Sequence, residues 1–520
     1  MKQKLLNRLL VKIMPFSLIE EVESFILKHY NLSKNLLAHA DPDLLEKIGE
    51  KKALKMLHLA AENIPAYQQF LKERSINIKK IKKIELFNHF LPETTKENYV
   101  KLNSFENMCY KGNLPKQGLI EESSGSSGHP TNWVKSYAEN ALLDKEVEFE
   151  SNYLLGLNKK KTIILSCWSP GPWTTDLKFC ELFEHQGLVK NVGPDIKNVV
   201  QTIKTFGPEY HYLLGGYPPF CRILIEKTKK EINWKKYHID MITGGEGFVI
   251  GWREQIKKQL NPESRIFSAY GASDLDIGIA FETPLTIFIR TQLIENKELR
   301  EKLGKSGRYP MIFQYNPLAH YIANFENNNH IEEFHITPLD PSVAAPKIKY
   351  NIHDEGKKIS FNEMVGWLNT LIGKEAQQYL NSNKPNILHL PFLIVYGRSD
   401  GTISINGTNI YPQQVEIALM KNKKLFSKTH TFRIGEKYKG KTQFTIKIEL
   451  KNGIKPNKKL IGEYKKSLEQ NLMIVSEEYG QAHKEFLSEF TPAIELYTFG
   501  NGPFKEKTTK IKNQYVDHGN

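Results

Sequence analysis

Hydrophobic and polar positions along the chain predict a helical start, an alternating middle and a strand-rich section after it. Residues 1–115 repeat Leu, Ile and Lys near helical spacing and contain few glycines, which predicts a mostly helical region. Between Thr162 and Phe281, short apolar runs alternate with amphipathic stretches, so this part predicts βα units and a largely parallel sheet. Residues 330–412 favour strands separated by Gly, Pro and Asp.

The end of the chain has a different pattern. A strand is expected over Phe444–Leu450 and a long polar helix over Pro456–Leu472, which together predict a small α+β domain after the turn Gly397–Gly401. We therefore expect an α/β protein whose large N-terminal domain has mostly parallel sheets, flanking helices and a strand-rich subdomain. The expected segments are a helical region, the body of the large domain and the small C-terminal domain, at residues 1–115, 116–398 and 401–520.

The first 22 residues are basic and carry leucines near helical spacing. Arg8 and Lys12 interrupt the apolar run, so neither a signal-peptide core nor a membrane span of about 20 residues is predicted. An amphipathic docking helix is the simpler interpretation, and peripheral membrane contact is the alternative. The 4 cysteines are scattered without metal-ligand spacing, which favours a reducing compartment, and we expect a cytoplasmic protein with no transmembrane segment.

Composition indicates a globular protein with a basic surface. Apolar residues make up 40% and charged residues 25%, a balance typical of soluble globular chains. The formal charge of +14 comes mostly from lysines spread along the chain, and no zinc finger or other nucleic-acid motif accompanies them. We therefore expect no nucleic-acid partner, although the charge is compatible with anionic small-molecule substrates.

A Ser/Gly-rich segment, Ser123–Pro130, holds four serines and two glycines in eight residues. The glycines leave the backbone free to turn its N–H groups towards one point, and the hydroxyl groups add further donors. Such a nest suits a polyphosphate, although the Gly-Lys-Ser/Thr end of a P-loop is absent. A flexible linker is the usual alternative, but apolar segments flank this run closely. The predicted phosphate-binding residues are Ser123, Ser124, Gly125, Ser126, Ser127 and Gly128.

A second segment follows the short strand start at residues 265–267 and joins an aromatic ring to a hydroxyl and a carboxylate. The ring of Tyr270, next to Gly271, can stack on a nucleobase, while Ser273 and Asp274 can hold a phosphate and Mg²⁺. An ordinary turn is the alternative interpretation.

A third segment, Thr243–Gly247, follows a mostly apolar run and brings main chain close to a flat ligand at a strand end. Its predicted ligand-binding residues are Gly244, Gly245 and Glu246, and the alternative is an ordinary βα turn.

Three later segments add charged groups. Asp354 ends the strand predicted over Pro346–Asp354, where its carboxylate can accept two ribose hydroxyl groups, unless it is simply solvated on a surface strand. Glycines bracket Arg398 and Asp400, so the arginine can reach a nucleotide and the aspartate can act as a hinge, with a hairpin turn as the alternative. The last segment is the Lys-rich tail Phe504–Lys512, for which a solvated chain end is the usual interpretation.

Together these six elements resemble the adenylate-forming acyl-CoA ligases in their order and approximate spacing. The Ser/Gly segment resembles the phosphate-binding loop of that family, and Tyr270–Asp274 resembles its Tyr-Gly-x-Ser/Thr-Glu motif with aspartate in place of glutamate. Asp354 resembles the ribose-binding aspartate of the Arg-Tyr-x-x-x-Asp stretch, with Lys349 in place of the arginine. Thr508–Lys510 resembles the C-terminal Ser-Gly-Lys pattern, and Lys507 is the rival lysine.

Three segments resemble the phenylacetate–CoA ligase branch of this family: Ile64–Tyr67, Leu91–Lys96 and Asn409–Glu416. The resemblance covers about residues 50–515. It implies that ATP and Mg²⁺ activate a carboxylic acid as an acyl-adenylate, that CoA is the expected acceptor, and that the small domain is mobile.

The resemblance also implies a role for each predicted residue. Ser273 and Asp274 would hold the α-phosphate and Mg²⁺, and Lys510 would neutralise charge in the transition state. Asp400 would be the hinge. The adenine and ribose would be framed by Tyr270, Gly271, Gly244, Gly245, Glu246, Asp354 and Arg398. Two alternatives stay open: an adenylating enzyme whose acceptor is an amine, a sugar or a carrier-protein thiol, and an inactive relative.

Overall fold

The computed structural model describes Pro15, Glu21 and residues 25–123, 130–248, 250–305, 309–328, 330–399, 403–406, 408–438, 442–505 and 516–517. The basic N-terminal segment predicted as an amphipathic helix lies almost wholly outside these residues. Among the residues that the structure describes, none of the helices combines the length and apolar character that a membrane span requires.

Helices dominate the first part of the chain, as its periodicity predicts. Local capping explains where they begin: Asp41 accepts a hydrogen bond from the N–H of Asp43, and Pro42 occupies the first turn of its helix. The α-helices described before Gly397 are α1 (Tyr30–His39), α2 (Pro42–Asn63), α3 (Pro65–Glu73), α4 (Ile84–Phe90), α5 (Phe105–Met108), α6 (Tyr137–Leu155), α7 (Thr174–Phe183), α8 (Ile196–Phe206), α9 (Pro218–Thr228), α10 (Ile250–Lys257), α11 (Pro284–Glu295), α12 (Lys297–Leu303), α13 (Phe361–Leu371) and α14 (Lys374–Asn383).

An eleven-stranded mixed sheet forms the centre of the larger unit, with the strand order β10-β11-β12-β13-β9-β8-β7-β6-β5-β3-β4. The strands up to this point are β1 (Gly118–Ser123), β2 (Thr131–Ser136), β3 (Thr162–Ser166), β4 (Leu188–Asn191), β5 (His211–Gly216), β6 (His238–Thr243), β7 (Ile266–Ala272), β8 (Asp276–Phe281), β9 (Met311–Gln314), β10 (His320–Glu326), β11 (Glu332–Pro338), β12 (Tyr350–Ile359) and β13 (Phe392–Arg398). β1 and β2 form a separate two-stranded sheet.

The direction of the strands changes at β7. The βα alternation predicted from the sequence produces parallel pairing of β3 with β4 and β5, of β5 with β6, and of β6 with β7. β8 then runs antiparallel to β7, with Tyr270 opposite Ala280, and the strands beyond it extend the sheet as an antiparallel, strand-rich section. The predicted α/β fold class is therefore confirmed.

The chain divides into two compact units. The larger comprises Met1–Glu121, Trp133–Gly216 and Ile225–Gly397, and the smaller comprises Glu122–Asn132, Tyr217–Leu224 and Arg398–Asn520. In the larger unit, side chains of α2 and α3 share one buried core with β7, β11 and β12, which includes Tyr67, Tyr270, Phe334 and Tyr350. The N-terminal helices therefore belong to the same packed body as the sheet.

The smaller unit contains the strand and long helix predicted near the end of the chain. Its four-stranded sheet has the order β18-β17-β16-β19, and Ile434 lies opposite Ile446 in the central antiparallel pair. Leu460, Tyr464 and Leu468 recur every four residues along the long helix and are buried. The elements are β14 (Ile403–Ile405), β15 (Thr408–Ile410), α15 (Pro412–Met420), α16 (Lys423–Phe426), β16 (Thr429–Tyr438), β17 (Thr442–Leu450), α17 (Lys458–Val475), α18 (Glu477–Glu485), α19 (Leu487–Phe490), β18 (Ala493–Tyr497) and β19 (Val516–Asp517).

A buried carboxylate holds β7 in place where it meets the candidate site. Glu282, directly after β8, accepts a hydrogen bond from the N–H of Ser268 at 2.9 Å. It also binds Arg253 and lies 3.3 Å from Nη1 of Arg290. All three charged side chains are buried, so the paired charges and satisfied hydrogen bonds stabilise this position.

Candidate functional site

The predicted glycine segment lies at the carboxyl end of β6. Thr243, the last residue of β6, pairs with Ser268 of β7, so Gly244 comes beside Ala269. A Cβ atom at Gly244 would lie only 3.2 Å from the carbonyl oxygen of Ala269 and 3.7 Å from the Trp168 ring. Gly245 adopts φ +79°, a conformation that favours glycine. The structure therefore places this segment at a strand end, and its role in ligand binding stays a prediction from the sequence.

Tyr270 and Asp354 meet directly, although 83 residues separate them in the chain. The hydroxyl of Tyr270 donates a hydrogen bond to Oδ2 of Asp354 at 2.5 Å, and both side chains are about 9% exposed. The Tyr270 ring also stacks on Phe313, with a centroid separation of 5.6 Å. This contact brings together two residues that sequence motifs had assigned separately to adenine and ribose.

The sequence predicts a strand that ends at Asp354, and this prediction is wrong. Asp354 lies inside β12, which begins only at Tyr350. Glu333 of β11 pairs with Glu355 of β12, and His335 pairs with Asn351. Between these two pairs β12 has two more residues than β11, which form a bulge. His353, within this bulge, adopts φ +63°. Because a bulge redirects side chains, it gives Asp354 its position against Tyr270.

Lys349, which stands where the related motif has arginine, is bound to main chain. Its ammonium group donates to the carbonyl oxygens of Asn88 at 2.6 Å and Leu91 at 2.7 Å. Burial lowers the pKa of Lys349 to about 8. Lys349 adopts φ +51°, which bends the backbone directly before β12 begins at Tyr350. Lys349 therefore anchors the end of α4 to the start of β12.

Asp274 lies in the turn between β7 and β8 and is bound by two side chains that are distant in the sequence. The Tyr350 hydroxyl donates to its Oδ2 at 2.8 Å, and the Lys96 ammonium lies 3.3 Å from its Oδ1. Ser273 is half-buried beside it, and the N–H of Leu275 closes the turn on the carbonyl oxygen of Ala272 at 2.9 Å. The site thus places one carboxylate next to a cation and a phenol.

Gly271 has a structural requirement of its own. A Cβ atom there would lie 2.4 Å from the carbonyl oxygen of Ile277 on β8, closer than any side chain tolerates. The glycine of this motif is therefore required by the close approach of two strands, whatever the ligand.

A second lysine adds positive charge near Asp274. The ammonium group of Lys347 lies 4.8 Å from the centre of the Trp133 ring, and that of Lys96 lies 5.3 Å from the same ring. Burial and the charge of Lys135 together lower the pKa of Lys347 to about 8, and Asp274 opposes this shift. Two lysines close to one aspartate make this part of the site suitable for an anionic ligand.

Sequence reasoning missed Lys96, Tyr350 and Lys347 as site residues. Lys96 and Tyr350 stand within segments that resemble the ligase branch and the ribose motif, so their presence was visible, but their contact with Asp274 was not. A charged side chain that is 9% exposed, as Lys347 is, looks like any surface lysine in a sequence.

The Ser/Gly segment connects β1 to β2. Ser123 is the last residue of β1, and Thr131 begins β2. Five predicted phosphate-binding residues lie outside the described residues: Ser124, Gly125, Ser126, Ser127 and Gly128. Their phosphate role stays a prediction from the sequence.

The C-terminal predictions also reach beyond the described structure. Arg398 is the last residue of β13 and the first residue of the smaller unit's final segment. The predicted hinge Asp400, the predicted catalytic lysine Lys510 and its rival Lys507 lie outside the described residues. Gly397, next to Arg398, adopts φ +128°.

A separate, mainly apolar cavity of about 590 Å³ lies in the larger unit between α1, α6 and β8. Its volume falls in the range of about 300–1,000 Å³ that small-molecule pockets occupy. The wall of the cavity includes Lys347 and Lys135, whose ammonium group lies 3.7 Å from Oδ2 of Asp276. Its apolar lining includes Leu37, Leu142, Phe149 and Ile279. Motifs do not reveal this cavity, because ordinary apolar helix positions line it.

No protein-family profile matches the chain, and no curated protein sequence matches it. Solved structures, in contrast, match the chain in fold. The chain is similar to 2-hydroxyisobutyryl-CoA ligase in complex with 2-HIB-AMP and CoA in the thioesterification state, with a TM-score of 0.61 and 13% identity over 91% of this chain and 89% of that one. An open conformation of the same ligase, with 2-HIB-AMP and CoA, has a TM-score of 0.51 and 13% identity over 91% of both chains.

At 13% identity this likeness concerns the fold. The chain therefore shares the fold of 2-hydroxyisobutyryl-CoA ligase, with a large α/β unit built on a multi-stranded mixed sheet. A shared fold does not establish a shared activity, which has to be inferred from the side chains of the site.

Proposed function

We propose that the protein uses ATP to activate a carboxylic acid as an acyl-adenylate, releasing pyrophosphate, and then transfers the acyl group to CoA, in the manner of the phenylacetate–CoA ligase branch. The observation that carries this proposal is the meeting of Tyr270 with Asp354, beside Asp274 and the Gly244 segment, at the carboxyl ends of β6 and β7. Open α/β sheets bind ligands at such strand ends. The similarity in fold to an adenylate-forming ligase supports it.

The nucleoside of ATP would lie between the Gly244–Glu246 main chain and Tyr270. Asp354 would accept hydrogen bonds from the ribose hydroxyl groups, and Arg398 is proposed to help hold the ribose. In the described structure the Tyr270 hydroxyl already donates a hydrogen bond to Oδ2 of Asp354. The carboxylate is therefore positioned before the ligand arrives, which lowers the entropy cost of binding.

The phosphates would meet the positive charge near Asp274. Lys96 and Lys347 would attract them, and the Ser/Gly segment would surround the β- and γ-phosphates with N–H and hydroxyl donors. Mg²⁺ is commonly held by one or two carboxylates together with substrate phosphates, so the single carboxylate of Asp274 fits such an ion. When bound, Mg²⁺ would neutralise phosphate charge, with Ser273 beside the α-phosphate.

The chemical step would be attack of a carboxylate oxygen on the α-phosphorus, with pyrophosphate leaving. The protein would lower the barrier by positioning the two reactants and by neutralising developing charge. Lys510 is proposed as the lysine that neutralises charge at the α-phosphate. A rotation of the smaller unit about Asp400 is proposed to replace this lysine by the acceptor thiol.

Exchange of labelled pyrophosphate into ATP tests the first half-reaction. The full chain is incubated with ATP, Mg²⁺ and each acid of a series of aryl and fatty acids, and exchange is expected with at least one acid class and with none in the absence of acid. Asp354→Ala is the matched variant, expected to show slower exchange at limiting ATP because it binds ATP less tightly, and Asp195→Ala, which removes a helix cap, is the control. If ATP binds but no acid supports exchange, the protein is a binding relative and the proposal fails.

Addition of CoA tests the second half-reaction. We expect CoA to increase AMP release and to yield an acyl thioester in equal amount. If exchange occurs but CoA changes neither product, the acceptor is instead an amine, a sugar or a carrier-protein thiol, each of which can be supplied in the same assay.

A further inference from the structure

A compact group of metal-ligating side chains lies where the segment before α5 meets β11. One ligand atom each from Glu93, Glu333 and His335 lies within 4.8 Å of the other two. Nε2 of His335 is 2.9 Å from Oε2 of Glu93, and these residues come from distant parts of the chain. None of the three has a role in the proposed adenylation.

Neighbouring amide groups hold the two carboxylates towards one point. Nδ2 of Asn351 donates to Oε2 of Glu93 at 2.8 Å and to Oε2 of Glu333 at 2.6 Å. Asn327 donates to the other oxygen of Glu333, Oε1, at 2.6 Å. The orientation of Glu333 is therefore set on both sides, which is how outer-shell hydrogen bonds orient metal ligands.

The group is buried but has an open side. Glu333 and His335 are 3% and 7% exposed, whereas the side chain of Glu93 is 39% exposed and provides a route from solvent. His353, whose Nδ1 lies 3.8 Å from Oε2 of Glu333, is at the rim. Two carboxylates so close together repel each other unless a proton or a cation lies between them.

The imidazole of His335 is a buried group with one unused nitrogen. Its Nδ1 has no hydrogen-bond partner among the described residues, although it is inaccessible to solvent. The ring is stacked on Phe325 with a centroid separation of 4.5 Å, which restricts its plane. In the described structure Oε2 of Glu93 accepts a hydrogen bond from Nε2. When Nε2 binds a cation instead, the proton of the neutral ring moves to Nδ1.

We propose that Glu93, Glu333 and His335 bind one divalent transition-metal ion, with Zn²⁺ preferred. One nitrogen and two carboxylate oxygens are typical zinc ligands, and a water would complete the tetrahedron. In a tetrahedron with zinc–ligand distances of about 2.0–2.2 Å, two ligand atoms lie about 3.3–3.6 Å apart. Separations of up to 4.8 Å in the group must therefore contract by at most about 1.5 Å, and the 2.9 Å between His335 and Glu93 must open by about 0.5 Å. The half-exposed Glu93 can supply this movement. The imidazole makes Mg²⁺ and Ca²⁺ poor alternatives.

Such an ion would join Glu93 to β11 directly opposite the bulge of β12. His335 pairs with Asn351, and the bulge that positions Asp354 begins at that pair. Because the ion binds only when these distant segments are together, it would stabilise the folded chain.

Metal binding by the full-length, tag-free protein tests this proposal. After treatment with a chelator and its removal, the protein is titrated with Zn²⁺ by calorimetry, and Co²⁺ is used as an absorption probe of the ligand set. We expect one tight site per chain and a higher melting temperature with Zn²⁺. Glu93→Gln, which changes a half-exposed residue and should fold normally, is expected to weaken binding by at least about tenfold, as is His335→Gln.

His483→Gln is the matched control. His483 is also buried and lies 2.8 Å from a carboxylate oxygen of Glu469, but it belongs to no three-ligand group in the described part of the chain. Its substitution should leave the tight site unchanged. The proposal is overturned if the wild-type protein retains no stoichiometric Zn²⁺, or if Glu93→Gln and His335→Gln bind it as tightly as His483→Gln does. Because the readout is metal binding, the result is independent of ligase activity.

Discussion

The Tyr270 hydroxyl donates a hydrogen bond of 2.5 Å to Oδ2 of Asp354, although β7 and β12, which carry the two residues, are separated by three strands in the order of the mixed sheet. The bond joins the motif proposed for adenine to the carboxylate proposed for ribose. It keeps the carboxylate in place, and under the proposed function a ribose hydroxyl would have to share or replace the phenol as donor.

This relationship predicts different effects for the two partners. Asp354→Ala should weaken ATP binding by about 1.5–3 kcal/mol, because hydrogen bonds to a charged acceptor are lost. Tyr270→Phe keeps the ring and removes the hydroxyl that donates to Asp354. It should lower the free energy of unfolding by a similar amount, but its affinity for ATP should fall less than tenfold. Calorimetry with ATP and urea unfolding measure both. Wild-type ATP affinity in a folded Asp354→Ala protein would show that the ribose assignment is wrong.

The environment of Asp274 predicts a dependence on Mg²⁺. Its carboxylate is bound by Tyr350 and Lys96, and one carboxylate suffices for an ion held mainly by phosphates. Asp274→Asn should reduce pyrophosphate exchange by roughly 10²–10³ and raise the Mg²⁺ concentration required for half-maximal rate. Lys96→Met should weaken ATP binding without changing the Mg²⁺ requirement. An unaltered Mg²⁺ requirement in Asp274→Asn would remove this residue from the metal assignment.

Lys347 predicts a rise of stability with pH. Burial lowers its pKa to about 8, below the usual value of 10.5, so between these two values the unfolded chain binds more protons than the folded chain. The free energy of unfolding therefore rises with pH across that window, by up to about 3 kcal/mol from this group. Lys347→Met should lose this rise in urea unfolding at pH 7.5 and pH 10. Lys357→Met, which changes an exposed lysine on β12, should retain it, and parallel profiles for all three proteins would contradict the prediction.

The Ser/Gly segment predicts a requirement for glycine. Replacing Gly125 and Gly128 together by valine should abolish ATP binding, because β-branched residues adopt positive φ only at high cost. Calorimetry measures the affinity, and circular dichroism verifies folding. Unchanged affinity in the folded variant would exclude this segment as the phosphate site.

The lysine-rich tail predicts a selective defect. Lys510→Ala should lower acid-dependent pyrophosphate exchange by roughly 10²–10³ and still transfer a preformed acyl-adenylate to the acceptor thiol. Asp400→Pro should do the reverse, because a fixed φ impedes rotation at the proposed hinge. If Lys507→Ala shows the selective defect instead, the catalytic lysine must be reassigned. Equal loss of both half-reactions in both variants would leave domain alternation unsupported.

The fold class can be predicted from the pattern of apolar and polar residues alone. The apolar alternation between Thr162 and Phe281 predicted the parallel strands, and the last part of the chain correctly predicted the strand β17 and the helix α17. These features depend on local periodicity, which a single sequence records directly. The glycines of the Gly244 and Gly271 segments were also visible, because close backbone approach leaves few other residues possible.

Contacts between distant side chains could not be predicted in this way, because they depend on how the chain packs. Asp354 reaches Tyr270 through a bulge whose register depends on pairing between β11 and β12, and the strand prediction placed that residue at a strand end instead. The contact of Lys96 with Asp274 and that of Glu93 with His335 join residues far apart in the chain. Such contacts are set by the packing of distant segments and by long-range strand register, and local sequence patterns contain neither.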